Sequence, residues 1–466
     1  MAFARGALLV LGVVVLAAAA AAAAEGGGSV CFDRVFSFGD SLTDTGNFLL
    51  SVPEDFPDPA RYLPYGQTFF GRPSGRYSDG RNLLDFFAEA FGMPYVPPYL
   101  GGGDFRHGAN FAVGGATALS WSFFRERGVE PTWTPHSLDE QLQWFKKLLP
   151  SIAPSEPGLA INDEKTCDWW LCATVACSQR LSDAVDLRKQ NSPDISDTAK
   201  YTLNLPRTIR QTVKSTKLLC SCAERSDVMS KSLFFAGEIG GNDYNHLIVR
   251  GKSLDELHEL VPHVVGAISS AITNLINLGA KKLVVPGNFP IGCVPLYLAI
   301  FPSQKEDYYD EQTGCINWLN EFAEHHNKMI QEELEKLRNL YPDVTIIYAD
   351  YYGATLDIFR APLKFGFTVP RNACCGSDAP HNCSLSIMCG NPGSSVCPDP
   401  SKYISWDGLH FTEASYKVVI QGVLGGYATP PLSEICKGGE YKVSQLHQCT
   451  DNPTNTVTYD ALSSFI

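Results

Sequence analysis

Five short apolar runs alternate along the chain with stretches of helical periodicity, and each run gives way to turn-forming residues. The first is Val35-Phe36-Ser37-Phe38, leading into Gly39-Asp40-Ser41-Leu42-Thr43-Asp44-Thr45-Gly46-Asn47. The second is Gly108 to Ala116, closing on a glycine turn, and the others are Lys231 to Gly237, Lys281 to Pro286 and Val344 to Tyr348. Between them, Asn82 to Ala90 has helical spacing. Ser137 to Leu149 carries Leu138, Leu142, Phe145 and Leu149 along one side. Leu254 to Ile276 forms helical turns that Pro262 is expected to interrupt or kink. Ile316 to Leu340 turns Leu319, Phe322, Ile330, Leu334 and Leu337 inward. Strands alternating with helices build a mainly parallel sheet covered on both faces, an α/β fold. In such sheets ligands bind beyond the carboxyl ends of the strands.

The length of 466 residues allows one large domain or two ordinary ones, and 44% hydrophobic residues fill a sizeable core. A net charge of −13 with no basic block argues against nucleic acid and against anionic membrane surfaces as partners. Met1-Ala2-Phe3-Ala4-Arg5 and the apolar run through Ala24 read as a secretory signal peptide, residues 1–24. A membrane anchor fits less well, because half of the run is weakly apolar alanine. No later stretch is long and apolar enough to span a bilayer. Fifteen cysteines suit an oxidising compartment, and the odd count leaves at least one unpaired. Cys374, Cys375, Cys383, Cys389 and Cys397 are expected to form disulfides rather than a metal site, since few histidines lie near them. Asn382-Cys383-Ser384 is a glycosylation sequon in an expected exposed loop.

Three stretches stand apart. Ser51 to Arg81, rich in Pro, Gly and aromatics, reads as a long surface loop. Residues 157–222 have no period and hold five of the cysteines, which marks an atypical insertion. Residues 437–466 are polar and read as a loose tail.

Ser41 stands at the end of the first strand, where a serine is a candidate nucleophile if a base reaches it. Ser41 and Asp44 equally fit a turn or a helix cap. Asp407 and His410 are three residues apart, so one tight turn can join them, and a carboxylate beside an imidazole prepares it to take a proton from a serine. They also fit a helix start with Asp407 capping and His410 on the surface. Acyl transfer further needs donors for an oxyanion. Gly115 can give a backbone N–H and Asn242 a side-chain amide, although glycines and Asn-Asp pairs make ordinary turns.

The set carries more than its members. Phe38-Gly39-Asp40-Ser41-Leu42-Thr43-Asp44-Thr45-Gly46-Asn47, Asn110-Phe111-Ala112-Val113-Gly114-Gly115-Ala116-Thr117, Gly240-Gly241-Asn242-Asp243-Tyr244 and Trp406-Asp407-Gly408-Leu409-His410 occur in that order. With Gly287-Asn288-Phe289-Pro290-Ile291-Gly292-Cys293-Val294-Pro295, they resemble the plant branch of the GDSL esterase/lipase family, the SGNH hydrolases. The resemblance covers about Val35 to Tyr427 apart from the insertion. It implies a three-layer α/β/α sandwich on a five-stranded parallel sheet, flavodoxin-like, spanning residues 25–436, with no metal and no cofactor. It also implies Ser41 as nucleophile, His410 as base and acid, and Asp407 as its orienting partner. Ser41, Gly115 (rather than Gly114) and Asn242 would form the oxyanion hole. The residues around Ser41 read Gly-x-Ser-x-Thr, not the Gly-x-Ser-x-Gly elbow of α/β-hydrolases. The implied activity is hydrolysis of acyl esters, short-chain or acetyl, of small molecules, polysaccharides or lipids. The implied place is outside the cell, in the wall or apoplast. A protein of another class, a catalytically impaired carbohydrate binder on the same fold, stays open because the insertion enters just before the strand leading to Asn242. The aromatics from Tyr62 to Tyr77 fit an aromatic or sugar ligand and fit plain loop packing equally. Oligomeric state is not legible.

Overall fold

The computed structural model describes residues 32–129, 134–153 and 227–436. The signal peptide at 1–24, the atypical segment at 157–222 and the tail at 437–466 lie outside the described residues.

The strands are β1 (Arg34–Phe38), β2 (Gly108–Asn110), β3 (Ser232–Ala236), β4 (Lys282–Pro286) and β5 (Thr345–Ala349). They stand in the order β2-β1-β3-β4-β5, all parallel. A two-residue strand, β10 (Ala428–Thr429), adds to β5 antiparallel at the edge. The helices are α1 (Asn47–Ser51), α2 (Leu83–Ala90), α3 (Trp121–Arg125), α4 (Leu138–Ile152), α5 (Gly241–Ile248), α6 (Leu254–Asn277), α7 (Pro295–Ile300), α8 (Asn317–Leu340), α9 (Tyr351–Arg360) and α10 (Glu413–Gly425).

Side chains alternate across each strand, so one sheet feeds two cores. Phe36, Phe234, Leu283 and Ile346 face α4, α6 and α8. Val35, Leu233, Val284 and Ile347 face α2, α9 and α10. Burial on both sides explains why the strands read as unbroken apolar runs. The result is a three-layer α/β/α sandwich.

α6 runs through Pro262 without the expected interruption. Pro262 is exposed, so the carbonyl it leaves unbonded, on His258, belongs to the solvent side of the helix. By length and composition α6 could cross a membrane, but half of its most apolar window is buried in the core. Its other face shows Glu259, His263 and Asn274 to water.

The stretch from Ser51 to Arg81 departs from a surface loop. It buries Ala60, Tyr65, Arg76, Tyr77, Ser78 and Asp79. Polar pairing makes this burial affordable. Arg76 clamps Asp85 at 2.6 Å, and Asp79 accepts the Glu413 N–H at 2.7 Å. Exposed aromatics such as Tyr62 and Phe69 remain at its edge.

A small layer follows α9. β6 (Val369–Ala373) pairs with β9 (Tyr403–Ser405), and β7 (Cys375–Gly376) pairs with β8 (Ser395–Val396). Disulfides Cys374–Cys397 and Cys375–Cys389 staple it, and Cys293–Cys315 closes a loop nearer the sheet. Cys383 is free and buried.

Candidate active site

The strand order places the site. β1 and β3 are neighbours, but the chain reaches β3 only after adding β2 on the far side of β1. That reversal opens a crevice at the carboxyl ends of β1 and β3. The residues after β1 include Ser41, and those after β3 include Asn242. The two strand ends are pressed together. Gly237 has φ +33, and an added Cβ there would lie 1.7 Å from Phe38 O. Gly39 has φ +143, and its Cβ would lie 2.8 Å from Thr43 Oγ1 and 2.9 Å from Glu238 O. Only glycine fits either place. Gln141 of α4 fixes the turn from below, accepting the Gly39 N–H at 2.9 Å and donating to Gly39 O at 2.8 Å.

Asp44 takes the structural role that its turn signal allowed. It accepts N–H groups from Gly46, Asn47 and Phe48 at the start of α1, and from Gly114 at 2.8 Å. The Gly114 N–H is therefore spent, and its Cα is crowded by the Tyr77 ring. Neither Ser41 nor Gly115 has a partner for its backbone N–H among the described residues. Asn242 donates its amide to Asp40 Oδ2 at 2.9 Å and to Ala116 O at 3.0 Å. Those partners adjoin Ser41 and Gly115 in sequence, so the three residues converge. Asp243 pins the same junction by accepting the Ala118 and Leu119 N–H groups at 2.8 and 2.9 Å.

Asp407 and His410 come from the loop after β9. Asp407 does not cap a helix: α10 begins later, capped by Thr412, and Asp407 Oδ1 instead accepts the Leu409 and His410 N–H groups. His410 is 8% exposed, not a surface residue. Its Nδ1 lies 2.7 Å from Asp407 Oδ2 and its Nε2 2.8 Å from Ser41 Oγ. A carboxylate can only accept, so Nδ1 carries the proton and Nε2 accepts from the Ser41 hydroxyl. Burial pushes the Asp407 carboxyl up, but the His410 charge and the hydrogen bonds outweigh it and hold it at about 2. Burial pushes His410 down, and the carboxylates of Asp407, Asp40 and Asp58 more than reverse this, so it stands above its ordinary 6.5.

Two residues of the 51–81 stretch, which sequence reasoning did not assign to the site, complete it. The Tyr65 hydroxyl donates to Asp407 Oδ2 at 2.8 Å. The Tyr77 ring stacks on the His410 imidazole with centroids 4.9 Å apart, and its hydroxyl donates to Asp58 at 3.2 Å. The excess of aromatics between Tyr62 and Tyr77 was the only signal for them. An apolar recess beside His410 is lined by Pro290, Val294, Phe359, Leu409 and Phe411. Asn382 lies in the disulfide-stapled layer, half-buried, with its amide donating to Ala373 O at 3.2 Å. No cluster of metal-ligating side chains occurs among the described residues.

A serine, a histidine and an aspartate bonded in that order are the arrangement with which hydrolases on several unrelated folds transfer acyl groups. The profile of the family described as GDSL-like Lipase/Acylhydrolase matches residues 35–423. A GDSL esterase/lipase of Arabidopsis thaliana is 42% identical over 88% of this chain and 89% of its own length. The sinapine esterase of Brassica napus is 40% identical over 87% and 88%. The chain belongs to the GDSL lipase/acylhydrolase family, and it is a hydrolase acting on ester bonds.

Proposed function

We propose that this chain cleaves carboxylic esters through an acyl-enzyme on Ser41, with His410 as base and acid and Asp407 holding its tautomer. The carrying observation is the unbroken chain Asp407–His410–Ser41, with contacts of 2.7 and 2.8 Å. Ser41 Oγ attacks the ester carbonyl carbon as its proton passes to His410 Nε2. The oxyanion is met by the N–H groups of Ser41 and Gly115 and by the Asn242 amide. The C–O bond to the alcohol then breaks, and the alcohol leaves with the proton from Nε2. Water attacks the acyl-enzyme, gives its proton to Nε2, and the acid departs as Ser41 regains that proton.

The substrates are acyl esters, short-chain or acetyl, of small molecules, polysaccharides or lipids. The name of the Brassica napus relative puts sinapine among the first natural esters to test. The apolar leader, the disulfides and the sequon at Asn382 support secretion to the cell wall or apoplast.

Hydrolysis of p-nitrophenyl esters from acetyl to long-chain acyl, by the secreted protein and by Ser41→Ala, tests this reading. The expected result is loss of at least about 10⁴-fold in kcat for Ser41→Ala and a preference for short chains. Activity that survives the substitution would overturn the serine mechanism.

A further inference from the structure

Asn242 faces more acceptors than it has hydrogens. An asparagine amide carries two N–H hydrogens. Both are spent here, on Asp40 Oδ2 at 2.9 Å and on Ala116 O at 3.0 Å. The oxyanion would be a third acceptor, so one contact must be surrendered as charge develops. The Asp40 contact is the one that can be given up, because Asp40 has other donors. Its Oδ1 accepts the Leu42 N–H at 3.0 Å. Its carboxyl is also in hydrogen-bond contact with the carboxyl of Glu238.

That contact is forced by the fold. Asp40 and Glu238 each follow a glycine at the ends of β1 and β3, where the two backbones touch. They are 3% and 4% exposed. Two carboxyls in contact and out of water cannot both ionise, so they share a proton. The other titratable groups acting on the pair are Asp243, His410, Tyr244, Tyr351 and Tyr416. Of these only His410 can be positive, and Asp407 already claims it.

We propose that Glu238 is a positioning residue for ester hydrolysis: it keeps a proton and donates it to Asp40, which frees one Asn242 amide hydrogen for the oxyanion. This rests on the reading of Ser41 as nucleophile and Asn242 as oxyanion donor. Burial raises Glu238 well above the ordinary carboxyl range and Asp40 to about 6, so the pair keeps one proton at neutral pH. Without the Glu238 donor, a buried Asp40 charge would rely on Leu42 and Asn242 alone and would hold the amide fast. Gly241 adjoins Asn242 and sits close over Glu238, its Cβ position 3.2 Å from Oε1, so Glu238 and the Asn242 turn are packed as one unit.

The test compares Glu238→Gln with Glu238→Leu in the full secreted chain, using p-nitrophenyl acetate. Glutamine still donates to Asp40, whereas leucine does not. Removing one oxyanion donor costs about 10²–10³ in kcat. Glu238→Leu should therefore lose at least about tenfold in kcat with KM within about twofold, and Glu238→Gln should stay within about threefold of the parent in both. Parent-like kcat in Glu238→Leu would overturn the proposal, as would equal losses in the two variants. Infrared spectroscopy covers the case in which the leucine variant does not fold. Asp243, raised to about 7 by burial, also contributes at neutral pH, so the protonated-carboxyl band should be stronger in the parent than in Glu238→Gln, and equal bands in the two overturn the proposal. Ser41→Ala and Asn242→Ala separate the two layers. Either one at full rate sinks the underlying mechanism. Both impaired beside an unimpaired Glu238→Leu sinks only the role of Glu238.

Discussion

The two halves of the site are held by different means. Ser41 stands on the turn after β1 and Asn242 in the first turn of α5 after the adjacent parallel strand β3, and close backbone contact between the two strand ends holds them. Gly39 and Gly237 leave no room for a Cβ there. Asp407 and His410 stand on a loop outside the central sheet, and side chains distant in sequence fix them. Tyr65 bonds Asp407 from 342 residues away. The stapled layer supplies backbone ties, with the Cys374 N–H on Ser405 O and the Cys375 N–H on Trp406 O at 3.0 and 2.7 Å. Gly408, with φ +95, turns the loop tightly over Cys383. The strand-borne half rests first on topology, and Gln141, Asp44 and Asp243 add ties to its backbone. The loop-borne half depends on each partner it has, so graded damage should be readable there.

The largest graded effect should come from Asp407→Asn. An amide that turns its nitrogen toward Nδ1 favours the wrong imidazole tautomer, leaving Nε2 protonated and unable to accept from Ser41. A fall of about 10⁴-fold in kcat is expected, with the fold intact by circular dichroism. A loss below about tenfold would mean that the loop-borne half merely adjoins the catalytic group.

The same contrast explains what could be read from the sequence. The strands and their ends were legible because burial on both faces makes each strand a continuous apolar run. Observed bounds of β1, β3, β4 and β5 differ from expected ones by only a residue or so, as with β5 at Thr345–Ala349 rather than Val344 to Tyr348, whereas β2 ends at Asn110 and the rest of the run to Ala116 is the turn beside the site. β10 was not legible, because two residues carry no period. Ser41, Asn242, Asp407 and His410 each had an ordinary turn or cap reading, and only their joint order along the chain raised them above it. Tyr65 and Tyr77 were hidden, since an aromatic in a loop packs against whatever the fold brings to it. Glu238 was hidden for a related reason: its proton is a property of Asp40 lying opposite, which only strand pairing creates.

The disulfides offer a middle-sized test. Cys375–Cys389 closes a loop with a sequence separation of 14 beneath Trp406. Replacing both cysteines by alanine should cost about 3 kcal/mol in denaturant unfolding. It should also lower kcat, because the Cys375 backbone holds the loop that carries Asp407. If the stability loss came with an unchanged kcat, the stapled layer would be a brace for the fold and not for the base, and the contrast between the halves would weaken.

The smallest effect should be the most specific. Tyr65→Phe removes one hydrogen bond to Asp407 and little volume, so kcat should fall about fivefold, equivalent to about 1 kcal/mol. The pH profile carries the sharper reading. On the proposed mechanism turnover needs neutral His410, which stands above 6.5, so kcat/KM should fall as the pH drops through that raised value. Asp407, held at about 2, stays ionised across this range, so the acid limb belongs to His410. The stability from the Asp407–His410 ion pair runs the other way. It is complete below 6.5, the ordinary value, and is lost as the pH rises through the raised value of His410. Without the Tyr65 hydroxyl, the Asp407 charge is less satisfied and grips the imidazolium harder. The acid limb of Tyr65→Phe should therefore move upward by about half a unit. An unmoved limb would show that Tyr65 only fills space, and a downward shift would mean that the phenol supports the imidazolium rather than the carboxylate.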